Sequence, residues 1–218
     1  MNGPQLSDSE KEGAKFLDRD FTQCFEQMRH HDGQIVDICK FAFTGYVTVI
    51  GAVLTLYRYG SEKGFAFVMP AVVVLCLTAI LGFMLLGLVV RNRAYFVLMA
   101  RYVNEQRQFF LTDKPLGFLN ETHMYTNRTK PSYFYWPSSQ SFLMYIMATL
   151  NATMFVFAGI VLWWAGSHAY WWFWLLAVAA WLVQLITAID YLRIQERKPR
   201  EPNPPREIQG GEMQRGHS

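Results

Sequence analysis

The stretch 65-FAFVMPAVVVLCLTAILGFMLLGLVV-90 decides the fold. Over 26 residues it holds no charge and no strongly polar side chain. Coiled as a helix it is about 39 Å long, more than the roughly 30 Å of a bilayer hydrocarbon core. Pro70 falls in the first turn or so, where a missing N–H costs little. The run stops at Arg91-Asn92-Arg93, a basic clamp of the kind that holds a helix end at the cytoplasmic headgroups. No helix breaker follows from Ala94 to Leu111, so the same helix is expected to continue into water.

Three more apolar runs accompany it, at Phe41–Tyr57, Phe142–Trp164 and Tyr170–Ile189. The spacing predicts an all-α integral membrane protein with four transmembrane helices in two antiparallel hairpins. The chain divides accordingly. Residues 1–34 form an N-terminal amphipathic helix and 35–111 the first hairpin with its cytoplasmic helical extension. Residues 112–140 form a loop, 141–194 the second hairpin and 195–218 a disordered tail rich in Pro, Gly and charge. The first 34 residues carry no apolar signal-peptide core, so insertion is expected to use the membrane segments themselves.

Basic residues set the orientation. Eighteen of the twenty Lys and Arg fall in segments 1–40, 91–140 and 191–218, two in the 58–64 link and none in 165–169. Both termini and the central loop are therefore expected in the cytoplasm, in a plasma membrane or a bacterial inner membrane. The formal net charge of +3 comes from dispersed charges of mixed sign and gives no case for nucleic acid. The three cysteines fit no disulfide framework or metal spacing.

The N-terminal helix is expected to begin at Ser7 or Ser9, with Asp8, Glu10 and Glu12 suiting its dipole. Phe16, Leu17, Phe21, Cys24, Phe25 and Met28 form a narrow apolar stripe on it, expected to pack within the protein. Gly33 is expected to kink the entry to the first membrane helix. Inside that helix Thr44, Thr48, Gly51 and Thr55 make one small, weakly polar face that suits close helix packing. Pro137 followed by Ser138 marks a helix start. Trp163, Trp164, Tyr170, Trp171, Trp172 and Trp174 form an outer aromatic belt around a short link.

Function is written faintly. The polar residues inside the apolar runs are Thr48, Asn151, Thr153, Gln184, Thr187 and, near the cytoplasmic boundary, Asp190 with Arg193 as its expected partner. By helix rise Asn151 lies about 14 Å deep and Gln184 about 8 Å deep. They suit either the lining of a pore enclosed by several chains or hydrogen bonds between helices. His30-His31-Asp32 lacks the second cluster a metal site requires, and there is no phosphate loop, no serine or cysteine nucleophile in a recognisable setting and no intramembrane carboxylate pair. No cofactor or catalytic residue is expected. The leading expectation is a non-enzymatic homo-oligomer that forms a pore or alters permeability. The alternative is a non-conducting scaffold that recruits a cytoplasmic protein through segments 8–32 and 94–136.

Overall fold

A computed structural model describes residues 7–63, 67–112, 120–121 and 125–198. These form four α-helices: α1 (Asp8–Lys63), α2 (Val68–Thr112), α3 (Ser139–Trp164) and α4 (Tyr170–Arg197). No strand occurs among the described residues. Each of the four helices is long and apolar enough to cross a membrane.

Local chemistry sets the helix ends. Pro70 sits in the first turn of α2. Ser138, just after Pro137, caps α3: its Oγ accepts from the Ser141 N–H at 3.1 Å. At the other end of α3 the chain closes in a Schellman turn. Gly166 N–H bonds to Trp163 O and Ser167 N–H to Leu162 O, both at 3.0 Å, while Gly166 takes φ 73°. A side chain at that φ would be strained, so the glycine permits the tight link into α4.

Helix α1 is longer than the sequence reading allowed. Its 56 residues continue through Gly33 with no break in helical structure, so the amphipathic segment and the first membrane segment are one rod of about 84 Å. One glycine costs a helix only about 1 kcal/mol, too little to interrupt it between two strongly helical flanks. Helix α4 also runs on to Arg197, so the segment expected to be disordered from 195 onward begins as helix. The remainder of that tail, from 199, lies outside the described residues, as do 113–119 and 122–124 of the central loop.

Packing follows chain order: α1 on α2, α2 on α3 and α3 on α4. Side-chain contacts fix the directions. Asp20 meets Tyr102 and Gln106, and His31 stacks on Tyr95 further along, so α1 and α2 run oppositely. One end of the bundle gathers Asp32, Arg93, Gln140 and Glu196 and is here the polar end. At the opposite, aromatic end Tyr57 packs on Trp164 with ring centroids 5.5 Å apart.

Among the described residues α1 and α4 form no extensive interface, so the arrangement is open rather than a closed four-helix ring. The core lies along α2 and α3, where Leu75, Leu86, Val89, Met144, Met147, Met154 and Val161 are fully buried. Outward faces are equally apolar, with Leu77, Leu81 and Met84 on α2 and Leu175, Val178 and Ile186 on α4 all exposed. A helix apolar on every side needs an apolar solvent, and a bilayer supplies one.

Candidate functional site

Polar groups gather at two levels. The first lies inside the apolar part of the bundle. Tyr46 of α1 donates its hydroxyl to Asn151 Oδ1 of α3, and Asn151 Nδ2 donates to Gln184 Oε1 of α4 at 2.6 Å. Asn151 is fully buried, with Tyr46 and Gln184 nearly so. The fourth helix contributes an absence: a Cβ at Gly82 of α2 would overlap both the Tyr46 hydroxyl and Asn151 Oδ1. All four helices are thereby keyed at one level. A relay closed by its own members in this way is a lock between helices, since in hydrocarbon an unmet amide costs several kcal/mol.

The other intramembrane candidates do not join this set. Thr48, Thr153 and Thr187 each donate to the carbonyl four residues back, at 2.8, 2.8 and 2.6 Å. Thr48 and Thr187 face outward, and Thr153 is half-buried. Asp190 is exposed and forms no ion pair with Arg193. The direct Asn151–Gln184 bond puts the two amides at one depth, where helix rise counted from the sequence boundaries separated them. Sequence reading missed Tyr46 and Gly82. A tyrosine five residues into an apolar run, away from either headgroup belt, was the available signal that a buried hydroxyl needs a partner.

The helix-packing face Thr44, Thr48, Gly51 and Thr55 is wholly exposed. Nothing lies within 4 Å of a Cβ built at Gly51. Among the described residues of one chain this face packs against nothing.

The second level is the polar end, held by two buried arginines of α2. Arg93 is 5% exposed and donates to Tyr133 O at 3.1 Å, Ser132 O at 2.9 Å and Gln140 Oε1. Gln140 in turn donates to Asp32 of α1. Burial pulls the Arg93 guanidinium down to about 10, Asp32 opposing the fall, so it stays charged at neutral pH. Arg101 donates to Pro131 O and pairs with Glu196 of α4, whose other oxygen accepts the Tyr133 N–H at 2.8 Å. Desolvation raises the Glu196 carboxyl, but the Tyr133 N–H and the Arg101 guanidinium together outweigh it and hold it below its ordinary value.

This level corrects one expectation. The Arg91–Arg93 clamp is divided: Arg91 is exposed beside Tyr95, while Arg93 points into the protein, because residues two apart lie some 200° apart around a helix. Arg101 takes Glu196, and Glu105 lies 3.7 Å from Arg128.

The amphipathic stripe of α1 packs inward as expected over Cys24, Phe25 and Met28, while Phe16 stays exposed. His31 stacks on Tyr95 at 5.5 Å, and Asp32 is engaged by Gln140. No group of three metal-ligating side chains occurs among the described residues. Comparison with protein-family models, curated proteins and solved structures gave no match.

Proposed function

We propose that the chain is a non-enzymatic membrane scaffold, anchored by two antiparallel helical hairpins with the polar end in the cytoplasm of a plasma-type membrane. Copies assemble through the outward face of α1, and the cytoplasmic extension of α1 and α2 receives a partner protein. One observation carries this reading. The polar residues best placed to line a conduit, Asn151 and Gln184, are buried and bonded to each other inside a single chain. Meanwhile α2 continues beyond Val90 for about 33 Å, braced by Arg93 and Arg101 against the loop and α4. Phe16 on α1 with Leu98, Phe109 and Phe110 on α2 are among the exposed apolar side chains of that extension.

A second reading draws support from the exposed Thr44–Thr48–Gly51–Thr55 face. Several copies packed around it would enclose a weakly polar path lined by α1 rather than by the amide pair. Ion flux from liposomes holding the purified chain separates the two. The scaffold reading expects no flux above that of empty liposomes. Flux lost on Thr48→Leu would favour the second reading, and flux lost on the Asn151→Leu, Gln184→Leu double substitution would defeat both.

A further inference from the structure

Between α1, α2 and residues 125–138 lies a groove of about 990 Å³ at the polar end. Its walls are largely apolar, with Phe25, Phe96 and Val103 prominent, and every charged side chain lining it is a cation. Those cations are Arg93, Arg107 and Lys130, with the amides of Asn104 and Asn127 beside them.

The three cations differ in what already holds them. Arg93 is spent on Tyr133 O, Ser132 O and Gln140. Lys130 is exposed and its charge is felt by Glu196. Among the described residues Arg107 is held by rings alone: its guanidinium lies 5.4, 5.9 and 5.2 Å from the ring centroids of Phe21, Phe25 and Tyr125. Among the described residues no carboxylate comes within 4 Å of it. Rings attract a guanidinium through its charge but offer its N–H groups no oxygen acceptor, so the fork keeps donors to give. Such a fork matches the oxygens of a phosphate, which offers several acceptors and a full negative charge.

We propose that this groove binds a phosphate ester carrying an apolar or aromatic body. Arg107 and Lys130 hold the phosphate, and Phe25, Phe96 and Tyr125 pack on the body. The volume exceeds what an inorganic ion fills and suits a small organic ligand. An all-cationic lining excludes a cationic ligand. The chemistry has two sources: a soluble nucleotide-like ester, or an anionic phospholipid entering from the leaflet beside Arg93 and Tyr135. The inference does not depend on whether copies assemble or conduct.

The test uses the full chain in lipid nanodiscs. In one arm, nanodiscs of phosphatidylcholine are titrated with adenosine monophosphate and followed by calorimetry. In the other, nanodiscs of phosphatidylcholine with phosphatidylglycerol are examined by native mass spectrometry for retained anionic lipid. Saturable binding is expected in one arm and identifies the source. Arg107→Gln and, separately, Lys130→Gln should each weaken it by at least about tenfold with the helical melt unchanged. Arg19→Gln, an exposed cation of α1 outside the groove, should leave it unchanged. Saturation in neither arm overturns the proposal. Wild-type binding by both groove variants does so too, as does an equal loss in Arg19→Gln, which would mark diffuse charge attraction.

Discussion

Tyr46 and Asn151 meet through a hydroxyl–amide hydrogen bond in the space left by the missing side chain of Gly82. The contact joins α1 to α3 directly across α2. Gly82→Ala should therefore destabilise the protein by about 1–3 kcal/mol, the usual cost of overpacking a filled core. In a Tyr46→Phe background the cost should be smaller, because one of the two overlapped atoms is gone. Thermal unfolding in detergent micelles checks both, and an equal cost in the two backgrounds would contradict the geometry.

The amide pair makes a complementary prediction. Asn151→Leu or Gln184→Leu alone strands a buried amide and should cost about 1–3 kcal/mol. The double substitution should cost less than the sum of the singles, with a coupling of about 0.6–1.7 kcal/mol. A double-mutant cycle measures it, and additive losses would mean that the bond contributes nothing.

Arg93 and Arg91 stand two residues apart and should behave as opposites. Arg93→Ala leaves two loop carbonyls and the Gln140 amide without their donor and should cost about 1–3 kcal/mol, the penalty for stranded buried acceptors. Arg91→Ala removes an exposed side chain and should stay within about 0.5 kcal/mol of wild type. Chemical denaturation of the two variants side by side distinguishes an inward arginine from a headgroup clamp.

Glu196 gives the polar end an acid sensitivity. Its carboxyl is held below the ordinary value of 4.5, so its contribution is present above that value and is lost as pH falls through the lower folded one. The side chain is 40% exposed, which keeps the effect under about 1 kcal/mol. Acidification from pH 7 to 3.5 should release residues 125–138 to protease earlier in wild type than the residual trend seen in Glu196→Gln. Parallel curves for the two proteins would remove Glu196 from the clamp.

The number of helices, the Ser138 cap and the turn at Gly166 were legible because they rest on local chemistry: a long uncharged run, a hydroxyl before a helix, a glycine after one. The continuity of α1 was not. Gly33 reads as a break only if its cost is weighed without the helix on both sides. Asn151 and Gln184 stood out as polar residues in apolar runs, but their bond depends on the relative stagger of α3 and α4, which neither run encodes. Arg93 looked like a headgroup anchor because periodicity alone does not reveal which face of α2 meets the 130–135 segment. The partners that the loop and α4 supply, Tyr133 O and Glu196, are separated from α2 by tens of residues of sequence.

The proposed scaffold requires copies of the chain to assemble through the outer face of α1. Oxidative thiol cross-linking in native membranes tests it most directly, with Cys24, Cys39 and Cys76 replaced by alanine and one cysteine introduced at Thr48, Thr55 or, as a control, the exposed α4 residue Val178. Covalent dimers are expected from Thr48→Cys and Thr55→Cys and none from Val178→Cys. Monomer alone from all three, or dimers formed equally at Val178, would contradict it.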